Sequence, residues 1–191
     1  MYAEINDLYG VSGISERIDS LRELCSSVTG VQMSFLFLEA IGIQKELLPW
    51  EYAFDIPSVR FLGLSTPTIP FMLPDFFRTV SPVFWTTTIL WATTSIFIPA
   101  LFAYFYNLST RVVKRHGTPV TVTRYRFDPL MFNVAKAIVT WVVYDHGYTF
   151  GLFDAFTILR VNQAMFGGYR GILVGSYVSM LAALYEAAQR K

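Results

Sequence analysis

Few residues in this chain could carry chemistry, and they are scattered. The two histidines are His116 and His146. His146 follows Asp145, and an imidazole beside a carboxylate can act as an acid–base pair. Such a pair needs a substrate pocket and further partners, and the sequence supplies neither; anchoring at a membrane edge accounts for both residues. His116 sits in a basic loop and reads as solvated. Lys136, Asp145 and Asp154 lie in or beside apolar stretches. Ionisable groups placed in a membrane are candidates for a solute path. Lys136 and Asp154 also fall near the ends of predicted helices, where their side chains can snorkel to the interface. There is no Ser/His/Asp set at useful spacing, no phosphate-binding loop, no metal-ligand cluster and no haem motif. No catalytic residue, cofactor site or metal site is therefore expected, and the chain does not read as an enzyme. Cys25 is the single cysteine, which excludes an internal disulfide framework. A net charge of +1 gives no ground for a nucleic-acid partner.

The elements that would position these residues are organised around one stretch. From Thr79 to Thr110 there is no Asp, Glu, Lys, Arg or His. A bilayer core about 30 Å thick needs roughly 20 apolar helical residues. In lipid every backbone polar group must be satisfied inside the segment, so the segment should be a helix. Phe84 and Trp85 mark one end and Tyr104, Phe105 and Tyr106 the other, where aromatic rings favour the headgroup level. Pro99 removes a helix hydrogen bond and predicts a kink in the last third. The excess of apolar residues is global: 53% of the chain is hydrophobic and 15% charged, with a mean hydropathy of +0.43. Soluble domains carry about 25% charged residues. The opening Met-Tyr-Ala-Glu-Ile-Asn-Asp has no basic or apolar leader, so the first hydrophobic helix is expected to direct insertion itself.

Three regions follow from the change in pattern along the chain. Residues 1–48 form an N-terminal amphipathic region. Ile14, Ile18, Leu21, Cys25 and Val28 alternate in steps of four and three, which puts them on one helical seam. That seam is either a partner-binding or dimerising surface, or the apolar face of a helix folded back on the membrane domain. Within 31–48 an apolar run of about 13 residues is interrupted by Glu39, which suits an interfacial or bundle-packed helix better than a span. A fourth span here would have to bury that charge. Residues 49–82 carry Pro57, Pro67, Pro70, Pro74 and Pro82 among many large apolar residues, and read as an extended strap along the interface. Residues 83–191 form the membrane domain.

Within that domain, 109–128 is the most basic stretch, with Arg111, Lys114, Arg115, Arg124 and Arg126. Basic loops stay on the cytoplasmic side, and such a patch can also attract anionic headgroups. Thr118-Pro-Val-Thr-Val-Thr alternates as a hairpin would. The sequon Asn107-Leu-Ser109 falls on the same side and is expected to stay unmodified. Asp128-Pro129 predicts a helix start, with the N-cap and first position filled as helices prefer. Gly167, Gly171, Gly175, Ser179, Ala183 and Ala187 recur every four residues, a small-residue stripe that lets another helix approach closely.

The segments Pro82-Val-Phe-Trp, Ala103-Tyr-Phe-Tyr-Asn, Tyr125-Arg-Phe-Asp-Pro-Leu-Met-Phe-Asn-Val-Ala-Lys and Leu184-Tyr-Glu-Ala resemble multi-pass membrane proteins of filamentous fungi. The resemblance covers about the last two-thirds of the chain, carries no catalytic residue over, and implies the endoplasmic reticulum or nuclear envelope. The expected fold is thus all-α: an integral membrane bundle with spans at 83–108, 129–145 and 169–188, a peripheral N-terminal helix and an interfacial strap. The expected function is a non-enzymatic scaffold or anchor that recruits a protein partner, or a second copy, through the N-terminal helix. The alternatives are a small transporter or channel component with Lys136, Asp145 and Asp154 lining a path, or a subunit of a lipid-modifying enzyme.

Overall fold

A computed structural model describes residues 14–57, 60–61, 64–65, 67–115, 118–123, 125–149 and 151–189. The described chain is mostly helical. Helix α1 (Ile14–Ser26) is followed after one residue by α2 (Val28–Leu47), and the two meet at 87°. Ser27 makes the corner. Its hydroxyl accepts from the Gly30 amide at 2.9 Å and donates to the Leu24 carbonyl at 2.6 Å. A Cβ on Gly30 would stand 1.8 Å from that carbonyl oxygen, so the corner needs a glycine there. The expected continuous seam is therefore split. Ile14, Ile18, Leu21 and Cys25 belong to α1, and Val28 is buried at the start of α2.

Residues 49–82 correct the strap and the all-α expectation together. Strands β1 (Trp50–Ile56) and β4 (Ile69–Pro74) pair antiparallel, with a bulge between Tyr52 and Phe54, and the short β2 (Arg60–Phe61) and β3 (Leu64–Ser65) pair beyond them. The prolines are tolerated because each strand of a two-stranded ribbon is an edge, with amides that need no partner. A 3-10 turn (Phe76–Val80) leads to α3 (Pro82–Phe105), which Ser81 caps through the Phe84 amide. The kink expected at Pro99 is absorbed by a π-helical turn, Thr93–Phe97. It lies at the residues whose carbonyls a proline ring would otherwise press against.

The basic loop forms a second hairpin, β5 (Thr110–Arg115) with β6 (Thr118–Thr123), as the alternating run predicts. Helix α4 spans 129–145, α-helical over Pro129–Thr140 and π-helical over Trp141–Asp145. Asp128 caps it, accepting from the Leu130 and Met131 amides at 2.8 and 3.3 Å. A short α5 (Ala155–Ala164) and a long α6 (Gly168–Ala188) complete the chain.

Point contacts fix the directions. Gln32 meets Asn133 and Glu39 meets Lys136, so α2 and α4 run together. The Asp128 amide reaches the Ala103 carbonyl while Thr94 reaches Tyr144, so α3 opposes α4. Tyr125, just before α4, bonds Glu186 near the end of α6, so α6 also opposes α4. The result is an up-and-down bundle of α2, α3, α4 and α6. One end carries the basic hairpin, α1 and the end of α6. The other carries the aromatic hairpin β1–β4 and α5, whose Ile158 and Val161 close the apolar core against Ile43, Leu90 and Ile172.

Among the described residues two helices are long and apolar enough to cross a membrane, Pro82–Phe105 and Gly168–Ala188, and a third qualifies if the bent α1–α2 pair counts as one span. The span expected at 129–145 is not among them. It has 17 positions (145 − 128) and carries Lys136 at its centre. It is the inner helix of the bundle, packed by α3 and α6.

Candidate functional site

The bundle buries charged and polar side chains beside its apolar core, and large apolar side chains stand on its outside. Lys136 is the largest fully buried side chain, while Phe97, Phe105, Leu181 and Tyr185 stand exposed. Lys136 therefore does not snorkel. Its Nζ donates to Glu39 Oε1 at 2.6 Å, with the two side chains 2% and 9% exposed. Trp91 Nε1 donates to Glu39 Oε2 at 3.4 Å. One carboxylate thus gathers α2, α3 and α4.

A second bond lies beside this one. Thr94 Oγ1 lies 2.9 Å from the Leu90 carbonyl, to which it can donate, and shares a 2.7 Å hydrogen bond with the Tyr144 hydroxyl. Both residues sit in π-helical turns, which recur at functional positions in helices. On α4, Asn133, Lys136, Thr140 and Tyr144 follow at steps of three and four, which makes one polar stripe. On α3, Thr87, Trp91 and Ser95 follow at steps of four. The buried hydroxyls of Thr87, Ser95, Thr140 and Ser179 have no hydrogen-bond partner among the described residues. The Glu39–Lys136 pair is costly to bury and more costly to break, since either partner alone would be an uncompensated charge. Its plainest physical effect is to fix which faces of α2 and α4 meet.

The residues proposed to share a path do not meet. Asp145 and His146 stand 3.5 Å apart at the exposed end of α4, with the imidazole against Trp141. Asp154 caps α5, accepting from the amide and the hydroxyl of Thr157. That hydroxyl holds the Asp154 carboxyl below its ordinary range. Lys136 alone reaches the interior. Among the described residues no three His, Cys, Asp or Glu side chains gather as metal ligands do.

The small-residue stripe divides by role. Gly167 is outside the helical face: it holds a left-handed conformation at the α6 N-cap. A Cβ on Gly171 would stand 1.9 Å from the Phe166 carbonyl oxygen, so this glycine serves the turn into α6. A Cβ on Gly175 would stand 2.9 Å from Phe35 Cδ1, so here α2 is the close neighbour. Gly175 and Ser179 are buried, Ala183 is half-buried and Ala187 is exposed. The seam residues Ile18, Leu21 and Cys25 are exposed on α1, joined there by Leu24. Arg111, Lys114 and Arg115 lie on β5 and Arg126 is exposed; Arg124 and His116 lie outside the described residues.

No protein-family model, curated protein or solved structure matches the chain. The site therefore rests on its own geometry. Sequence reasoning placed Glu39 and Lys136 in separate segments and missed Trp91, Thr94 and Tyr144. The usable signal was one acid and one base of opposite sign, each the single charge in the apolar middle of its helix.

Proposed function

We propose that the chain is a multi-pass membrane scaffold: a helical bundle held in the bilayer that displays binding elements at both faces. The observation that supports this reading is the charged pair Lys136 and Glu39 buried inside, with large apolar side chains exposed outside. In water that arrangement would expose the hydrophobic surface and bury the charge. In lipid it is the favourable one, since charges face the bundle and pair with one another. Helices α2 and α4 each carry a charge that hydrocarbon would reject. Paired, they enter the bilayer as a neutral unit beside α3 and α6, so the reading has four crossings with both described ends at the basic, cytoplasmic face. Helix α1, at 87° to α2, then lies along that face with Ile18, Leu21 and Leu24 available to a partner helix. The compartment follows the fungal resemblance, the endoplasmic reticulum or nuclear envelope.

A path for protons or small ions is the second reading. The unpartnered hydroxyls of Ser95 and Thr140 beside the ion pair favour it. Three measurements separate the two. The chain should stay in the pellet after alkaline carbonate washing. Cysteines placed at Ser109 and Leu152, in a Cys25→Ser background, should react with impermeant maleimide from opposite sides. Liposomes holding the purified chain should show no proton flux above lipid alone; flux that Lys136→Met abolishes would replace the scaffold by the path.

A further inference from the structure

We propose that β1 is an open sheet edge that takes an extended segment of another protein as a third strand, with an apolar–basic–apolar triplet set against Trp50, Glu51 and Tyr52. The prolines of β4 decide which edge is open. Trp50 pairs with Pro74 and Asp55 with Pro70. Proline has no amide hydrogen, so neither can belong to a pair that exchanges two hydrogen bonds. Both are pairs of the other kind, whose amides and carbonyls point away from the ladder. The Asp75 amide, one position on, donates to the Pro49 carbonyl at 3.1 Å, as that phase requires. The two kinds of pair alternate, so Met72 and its partner Tyr52 also point outward. The outer edge of β4 is therefore closed on either side of Met72, because Pro70 and Pro74 have nothing to donate. The outer edge of β1 offers the amides of Trp50, Tyr52 and Asp55. All seven residues of β1 are exposed, so no described element covers that edge.

A two-stranded ribbon is marginal in water, and a third strand is what completes it. Charge selects the strand. Arg78 stands 3.2 Å from Asp75 but 3.9 Å from Glu51, so the Glu51 carboxylate is only loosely held. Asp55, beyond the bulge, has no ion pair among the described residues. A second copy of this chain does not fit. Its β4 edge is closed by the same prolines. An antiparallel second β1 that used Trp50 and Tyr52 would set two Glu51 carboxylates opposite or diagonal to each other, within about 8 Å, where like charges repel. A lysine or arginine opposite Glu51 turns that repulsion into attraction. Apolar residues on either side of it then lie against Trp50 and Tyr52, whose side chains stand free on the other face of the ribbon. In strand addition the main chain supplies affinity and the alternate side chains supply selection. The edge lies at the end of the bundle opposite the basic hairpin, so the segment it takes is on the non-cytoplasmic side.

The proposal rests on the scaffold reading, and its test lets the two fail separately. The full chain in phosphatidylcholine nanodiscs is titrated with a short fluorescent peptide that alternates valine and lysine, and binding is read as anisotropy. Recognition through the main chain tolerates side-chain detail, so this peptide suffices as the probe. Saturable binding is expected, with slowed hydrogen exchange at the Trp50 and Tyr52 amides. Tyr52→Pro should abolish binding and leave the thermal melt close to wild type, because β4 does not use that amide. Tyr52→Ala keeps the amide and should keep most of the binding. Glu51→Gln should weaken binding about threefold, the worth of an exposed ion pair, and a valine–glutamate peptide should bind more weakly still. A peptide N-methylated at its valines, whose amides face β1 in this register, should not bind; one N-methylated at its lysines should. The proposal is overturned by an absence of saturable binding, by undiminished binding with Tyr52→Pro, or by equal binding of the valine-methylated or the glutamate peptide. A dimer that Tyr52→Pro dissolves would give the edge to a second copy and overturn it too. In each of these cases a chain that still sediments after carbonate washing leaves the membrane reading standing.

Discussion

Lys136→Met is the sharpest perturbation of this structure. Methionine matches the length of the lysine stem and removes the charge. Glu39 would then keep one bond, from Trp91 at 3.4 Å, in place of the 2.6 Å contact with Nζ. Both charged groups are at least nine-tenths buried, so the loss is of the kind seen when one partner of a buried pair is deleted, about 3–5 kcal/mol. For a chain of this size 1 kcal/mol moves Tm by roughly 2–4 °C, so a fall of about 6–20 °C is expected. Glu39→Leu with Lys136→Met should recover most of that loss, because a well-packed apolar pair in place of a buried ion pair is often neutral or better. The assay is thermal unfolding in detergent for the wild type, both single variants and the double variant, read as a double-mutant cycle. A single variant that melts within about 2 °C of wild type would refute the pair as the tie between α2 and α4. So would a double variant that loses the sum of the two singles.

Four further outcomes follow from local geometry. Gly175→Leu should cost roughly 1–3 kcal/mol by overpacking against Phe35, while Val174→Leu, at a position 58% exposed, should leave the melt unchanged. Gly30→Ala should open the corner between α1 and α2, since its Cβ meets the Leu24 carbonyl; faster tryptic cleavage after Arg22 is the readout. Asp128→Ala should cost about 1 kcal/mol through the lost cap, and Asp128→Asn much less, by thermal melting. The Asp154 carboxyl is held below the ordinary value of 3.8, so its support of α5 is present above that pH and is lost only as pH falls through the lower, folded value; hydrogen exchange at the Thr157 amide should rise only under those acidic conditions.

What could be read from the sequence was whatever depends on neighbours along the chain. The uncharged run gave α3, the small-residue period marked α6, Asp128-Pro129 gave the start of α4, and the alternation after Thr118 gave the second hairpin. Proline hid the first hairpin, because the same residue that forbids a central strand is harmless on an edge, and nothing local shows that both strands are edges. The corner at Ser27 was hidden because Gly30 matters only for its distance to the Leu24 carbonyl. The ion pair was hidden because its members lie 97 positions apart in the chain. The path of Lys136, Asp145 and Asp154 was drawn from residue type, and the folded chain sends the latter two to capping and surface positions.

The π-helical turn in α3 has a consequence for which insertions and deletions the chain can bear. From Phe84 to Ala103 the chain advances 19 positions (103 − 84), and both residues are buried against the bundle. Five turns of an ideal helix take 18 residues, so 19 would carry Ala103 about 100° out of phase with Phe84. The wide turn over Thr93–Phe97 takes up that surplus residue and returns Ala103 to the inside, where its carbonyl meets the Asp128 amide. A one-residue deletion inside 93–97 would leave a plain α-helix whose two halves still share a phase. The same deletion one or two turns to either side would rotate that end of α3 against the rest. The position at which the helix departs from its ideal form is thus the one place along it where its length is free to change.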